Sequence, residues 1–290
     1  MPQSFTAQPV PDAAQANPSV PRAVLVTGAA GRIGSYFAEH GHDRYALRLL
    51  VRGDEDNIPK LHGCGDVVQA DLRDLDAVKR ACQGIHTIVH LAGDPSPNAT
   101  WQELLDANII GAYHVFAAAK AAHVQRVIYA SSIHAVSGYP PDVQVKTTDP
   151  VNPGDLYGVS KCFGEALARY MAEQEGVSAV SLRIGAFQPP STVHDERGYG
   201  MLDDWVSQRD LNQLIQKCID APHVTYATLH GLSDNRFKRL DISDARFLVG
   251  YDPQDDATRE LPQIKDLPLE RMETASLRDN PSQSGLRDDV

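Results

Sequence analysis

Tyr157 stands four residues before Lys161 in Leu156-Tyr157-Gly158-Val159-Ser160-Lys161-Cys162-Phe163-Gly164-Glu165, a stretch of strongly helical character. Residues i and i+4 share one helix face. A neighbouring ammonium favours the ionised form of a phenol, whose free pKa is about 10, and would move it toward use as a base near neutral pH. The pair is equipment for acid–base chemistry.

Position gives the pair a partner. Far upstream, Arg22-Ala23-Val24-Leu25-Val26 reads as a buried strand that runs into Thr27-Gly28-Ala29-Ala30-Gly31-Arg32-Ile33-Gly34, the opening of a helix. In such a strand–turn–helix the first glycine permits the tight turn, the second lets backbone approach a pyrophosphate, and the third lets helix pack on sheet. The helix N-terminus offers free N–H groups to phosphate.

Glycine loop and Tyr-x-x-x-Lys, in this order and at this separation, resemble the short-chain dehydrogenase/reductase superfamily, in its extended, NAD-dependent epimerase/dehydratase-like branch. The resemblance covers roughly residues 22 to 255. It implies NAD or NADP held by Gly28, Ala30, Gly31, Arg32, Ile33 and Gly34, with Asp71-Leu72 at the adenine and Leu91-Ala92-Gly93 passing the cofactor. Asn108, Tyr157, Lys161 and Ile184 complete the implied cofactor site, and Ser132 of Ala130-Ser131-Ser132 is taken as the family's catalytic serine. Within the branch the chain is similar to uronate dehydrogenases and to archaeal-type glucose-6-phosphate dehydrogenases, both of which act on the anomeric carbon of a sugar. It departs from them at Ile133, where they carry Asn, and from the uronate enzymes at Gly200, where an Arg grips the substrate carboxylate. Hexuronates are therefore expected to be poor substrates unless Arg197 or Arg236 replaces the missing guanidinium.

The elements that must position these residues are visible as alternation. Strand-like runs at Ala23–Val26, Ala46–Val51, Val67–Ala70, Thr87–Leu91, Val127–Ala130 and Ala179–Ile184 alternate with helical segments near Ile33–His40, Leu75–Ala81, Trp101–Ala122 and Tyr157–Gln174. That pattern predicts an α/β fold, a Rossmann-type doubly wound parallel sheet over residues 22–184. Past Ile184, Pro189-Pro190, Gly198, Gly200, Pro222 and Gly231 break the rhythm, which suggests a small substrate-binding lobe over 185–260, interleaved with the core. A lobe this short fits a monosaccharide better than a nucleotide-sugar.

In the implied mechanism Tyr157 takes a proton from a sugar hydroxyl as hydride leaves the same carbon for nicotinamide, Lys161 lowers the Tyr157 pKa, and Ser132 positions the oxygen. C1 is the favoured carbon, with a lactone as product. Asp94, Ser96, His134, Trp205, Asn235 and Arg236 are candidates for contact with the sugar. Arg183 reads equally well as a structural strand-end residue paired to a carboxylate. Val51 ends the second strand where an NAD enzyme usually carries a ribose-binding carboxylate, and Arg52 follows it, which tips cofactor choice slightly toward NADP; the opposing reading has Asp54 reach the ribose. The rivals are an epimerase or dehydratase with tightly held NAD and a non-catalytic cofactor sensor.

Composition bounds the partners. A net charge of −11 disfavours nucleic acid and anionic membrane, and no apolar run approaches the length of a spanning helix. Cys64, Cys82, Cys162 and Cys218 form no C-x-x-C pair, and with the scattered histidines they suggest no metal site; a cytoplasmic protein with reduced thiols is expected. Residues 1–21 lack the marks of a secretory signal and, like 271–290, read as a flexible tail. The Ala-rich helices bearing Tyr113, Phe116 and Tyr170 on their outer faces should pair across a two-fold axis into a homodimer, by resemblance to the superfamily.

Overall fold

The computed structural model describes residues 21–194 and 200–260, so that the expected tails, Pro21 apart, and Arg197 and Gly198 lie outside the described residues. Seven parallel strands form the sheet: β1 (Arg22–Thr27), β2 (Tyr45–Val51), β3 (Asp66–Gln69), β4 (Thr87–His90), β5 (Arg126–Ser132), β6 (Ser178–Ile184) and, after two short strands, β9 (Tyr226–Gly231). Their order is β3-β2-β1-β4-β5-β6-β9. Strand order reverses between β1 and β4, the switch point outside which open α/β sheets form a ligand crevice.

Unbroken apolar runs account for the sandwiching of the sheet. Val24 and Val26 pack into one core layer and Leu25 into the other, and on β5 Ile128 and Ala130 face the first while Val127 and Tyr129 face the second. A strand covered on both faces has no use for polar alternation. Helices α1 (Arg32–Gly41), α6 (Gln208–Asp220) and α7 (Ser243–Val249) contribute to the first layer. The second is built with α2 (Leu75–Ala81), α4 (Gly111–Ala121) and α5 (Leu156–Glu173). Burying a Leu, Val or Phe side chain in these layers contributes about 1.5–3 kcal/mol.

Two sequence expectations are corrected. The single helix expected over Trp101–Ala122 is divided into α3 (Trp101–Leu104), a widened π-type turn over Leu105–Ile110, and α4. Asn108, buried within that turn, accepts from Asp94 N–H at 2.8 Å and donates to Ser160 Oγ at 2.9 Å, contacts that local periodicity does not encode. The segment after Ile184, expected as a lobe interleaved with the core, also enters the main sheet. Its β7 (Ala186–Phe187) and β8 (Trp205–Val206) pair with each other, but β9 joins β6 as the seventh strand of the main sheet. Polar residues at Thr228 and His230 disguise β9 in the sequence. The chain then turns through α7 and the short α8 (Ala257–Glu260). Phe116, expected on an outer face, is fully buried in the second core layer.

Candidate active site

Asp155 starts the site. It caps α5 by accepting Gly158 N–H at 2.6 Å, and its other carboxylate oxygen lies 2.6 Å from His134 Nδ1. With the helix start fixed, Tyr157 and Lys161 fall on its buried face toward the end of β5. Lys161 Nζ donates to Ala130 O at 3.0 Å and sits 5.5 Å from the Tyr157 ring centroid. The His134 ring meets the Tyr157 ring edge-on at 5.3 Å. Ser132 acts on the Tyr157 phenol as a hydrogen-bonding neighbour that lowers its pKa, whereas the Ser131 hydroxyl turns to Glu165.

Electrostatics reverse one expectation. Burial pushes the Tyr157 phenol up to about 12; the Ser132 hydrogen bond pulls it down, and the Asp155 and Asp94 carboxylates add to the rise. Lys161, also buried, is pushed down to about 8, with Asp94 opposing. Desolvation penalises the charged form of both groups, and the neighbour that acts against it on the phenol is Ser132. His90 behind them is neutral, pushed down to about 3 by burial above all.

The glycine loop fits a dinucleotide. Gly28 has φ +68°, and a Cβ there would lie 2.8 Å from Ala92 N, so only glycine lets the loop pass so close to the end of β4. A Cβ on Gly34 would run into Gly28 O. Thr27 Oγ1 bonds His90 Nδ1 at 2.7 Å and accepts from Ala92 N–H at 3.3 Å, stitching the ends of β1 and β4 together on either side of the crevice. Gly31 caps α1 without any side-chain bond, leaving first-turn N–H groups to the loop that Ala30 and Ile33 complete. Arg32 reaches across to Phe187 O at 2.8 Å.

Other expected cofactor residues stand at strand ends. Arg52 follows β2 as expected, but its guanidinium is 3.4 Å from Asp54 and 3.9 Å from Glu55, whose carboxylate accepts the N–H groups of Arg52 and Gly53. Asp71, followed by Leu72, is bound by Arg73 at 2.6 Å, and that bond holds its carboxyl below the usual range. Leu91, Ala92 and Gly93 follow β4, and Ile184 ends β6 directly beside Ser132. Asp94 and Ser96 share the loop after Gly93, where Asp94 Oδ1 accepts Ser96 N–H at 2.8 Å.

Two substrate candidates, Trp205 and Asn235, prove buried, and a third, Arg236, makes no side-chain bond among the described residues. Trp205 is completely buried and donates its indole N–H to Gln188 O at 3.0 Å, a packing role. Asn235 is buried too, its side chain spent on Trp205 O and Ala257 N. Arg236 is exposed and ties in through its backbone N–H to Asp256, not to Ser132, Tyr157 or His134. Cys162 donates to Ala135 O and its thiol is pushed up to about 11 by burial, as suits a packing residue. Arg183 is the carboxylate-paired strand residue, bound to Glu165 at 2.8 Å. Asp155 was missed, although an Asp before an apolar helical run is a readable N-cap signal. Thr27 and Arg73 carried no signal, because their partners are close only in space.

Fold and site together define an α/β dinucleotide-binding protein with a Ser–Tyr–Lys constellation. The model of the NAD dependent epimerase/dehydratase family matches residues 24–219, and the chain belongs to that family. It is 39% identical over 251 residues to an NAD-dependent glucose-6-phosphate dehydrogenase of Haloferax volcanii, covering 81% of this chain and 94% of that protein. A uronate dehydrogenase of Pseudomonas putida is 35% identical over 233 residues, covering 80% of this chain and 84% of its own length. The crystal structure of uronate dehydrogenase from Agrobacterium tumefaciens superposes with a TM-score of 0.73 at 34% identity, covering 85% of this chain and 90% of that one.

Proposed function

We propose that the protein is an NAD(P)-dependent dehydrogenase that oxidises a hydroxyl-bearing carbon of a monosaccharide or sugar acid, with C1 and a lactone product favoured. The observation that carries this is the convergence of Ser132, Tyr157 and Lys161 at the C-terminal end of β5, beside the crevice opened by the glycine loop. When bound, the nicotinamide supplies the hydride acceptor. The chain does the rest. Ser132 fixes the reacting oxygen, Tyr157 removes its proton, and Lys161, anchored on Ala130 O, supplies a donor beside them. The charge on Lys161 also offsets the negative charge that develops as the proton leaves.

Asp94, Ser96 and His134 are the residues proposed to meet the sugar. The named activities of the relatives support a sugar substrate, and Gly200 and Ile133 argue against hexuronates. Cofactor choice rests on Arg52: its exposed guanidinium is suited to a 2′-phosphate, giving a slight preference for NADP within a site that takes both cofactors. A homodimer built through α4 and α5 and a cytoplasmic location complete the proposal. The exposed Tyr113, Phe163 and Tyr170 support the dimer, and the free cysteines the location. No helix among the described residues is long and apolar enough to cross a membrane.

The test is direct. Aldoses, sugar phosphates and sugar acids are screened with NAD and NADP for absorbance of the reduced nicotinamide, and a lactone is sought as first product. Stoichiometric reduction with an aldose supports the proposal. Non-exchanging NAD with interconversion of nucleotide-sugars would replace it by an epimerase.

A further inference from the structure

Strand β5 ends in two serines that do different work. Side chains alternate along a strand, and Ser131 follows Val127 and Tyr129 onto the face covered by α5. There its hydroxyl donates to Glu165 Oε1 at 2.5 Å. Glu165 is the third residue of one helical stripe with Tyr157 and Lys161, each four positions on. Consequently consecutive β5 residues each meet a different member of that stripe: Ala130 O accepts from Lys161 and Ser131 donates to Glu165, and the next residue, Ser132, is the neighbour that lowers the Tyr157 pKa.

The Glu165 tie is itself held. Arg183 of β6 donates to Glu165 Oε1 at 2.9 Å and Oε2 at 2.8 Å, both side chains being buried, and Tyr226 OH of β9 donates to Glu165 O at 3.4 Å. Behind Arg183 lies His230, pushed down to about 4 chiefly by burial and therefore neutral, with Nδ1 on Asp241 O at 2.8 Å. A buried ion pair is often no more stabilising than apolar residues of the same volume. Stability alone is thus a weak account of why charge is placed here. Register is a better one, because a slide of α5 along β5 would break both bonds together and separate Ser132 from Tyr157.

We propose that Glu165 and Ser131 are positioning residues of the active site, setting the distance between Ser132 and Tyr157 by locking α5 against β5. This rests on the dehydrogenase reading above. Ser131→Ala removes the tie to the strand and leaves the Glu165–Arg183 pair whole, so the fold should survive. The expected result is a fall in kcat of about tenfold or more, since misplacement by about 1 Å can cost 10²-fold. The KM for sugar, and cofactor affinity from quenching of intrinsic fluorescence, should stay within about twofold. A further signature separates positioning from mere support. The Ser132 bond lowers the Tyr157 pKa against burial, Asp155 and Asp94, so loosening it should move the rising limb of the kcat–pH profile to higher pH, with Lys161 and His134 still facing the phenol. Ser131→Thr, which keeps the hydroxyl, should restore both, and Glu165→Gln should weaken turnover in the same manner.

Ser131→Ala with unchanged kcat and pH limb but a lowered melting temperature would overturn the proposal. Tyr157→Phe is run on the same substrate. If it leaves turnover near normal, the dehydrogenase reading fails; if it abolishes turnover while Ser131→Ala does not, the positioning role alone is lost.

Discussion

His134 Nδ1 and Asp155 Oδ2 lie 2.6 Å apart, and through this contact the residue that caps α5 also orients the ring beside Tyr157. The bond fixes which imidazole nitrogen is left for the cleft. Helix start and active-site wall are therefore one structural unit.

Asp155→Ala should accordingly do two things at once. Loss of the N-cap costs about 1 kcal/mol of stability, and release of His134 should raise the KM for the sugar more than that for the cofactor. Asp155→Ser, a good cap without a partner for the imidazole, should recover the melting temperature and leave the KM defect. If Asp155→Ser has a normal KM, His134 does not meet the substrate.

Tyr157→Phe should lower turnover by at least about 10²-fold while cofactor affinity, followed by fluorescence, stays nearly intact. Because burial keeps the phenol protonated, up to about 12, sugar oxidation by the wild-type protein should accelerate as pH rises from 7 toward about 8, below which Lys161 keeps its charge, and lactone reduction should not. A flat profile for oxidation over that range, with chemistry shown to be rate-limiting, would remove Tyr157 as the base.

Lys161→Met should inactivate the protein and stabilise it. The folded pKa of Lys161, about 8, is depressed from 10.5, so the cost of charging the buried amine is absent above 10.5 and is fully felt below about 8. That gap corresponds to roughly 3 kcal/mol at about 1.4 kcal/mol per unit. Urea melts should show the variant gaining stability over wild type at pH 7 and little or none at pH 10.5. An equal difference at both pH values would mean that Lys161 is not buried as charge.

The parts of the site that the sequence reveals are those encoded locally. The glycine loop, Tyr157 and Lys161, and the six strand cores are readable because turn chemistry and period survive in a single segment. The Ser131–Glu165–Arg183 lock, the Thr27–His90 stitch and the edge position of β9 are not, since each depends on which strands become neighbours. Trp205 misleads for the same reason: in the sequence it sits in a polar segment, and only the pairing of β7 with β8 sends its ring inward. The raised Tyr157 pKa illustrates the general difficulty, because a spacing rule registers the neighbouring charge and not the burial.

Arg52→Ala should raise the KM for NADP well above that for NAD, since only NADP offers the phosphate that a guanidinium would bind. Asp54 and Glu55 lie within 4 Å of Arg52 and offset part of its charge, so Asp54→Asn is expected to strengthen NADP use. Equal effects of Arg52→Ala on both cofactors would make Arg52 a surface residue.

Assembly supplies the last prediction. Tyr113 of α4 is 54% exposed, and on α5 Tyr170 is 50% and Phe163 37% exposed, while the opposite sides of both helices are packed into the core. Phe163 and Tyr170 are seven residues apart and so lie on one side of α5, making an apolar stripe on an otherwise charged protein. Such stripes are covered in stable assemblies. Sedimentation at micromolar concentration should give a dimer, and Tyr170→Arg should shift it toward monomer while Ser132, Tyr157 and Lys161 stay in place. A wild-type monomer under these conditions would leave the stripe without the proposed partner.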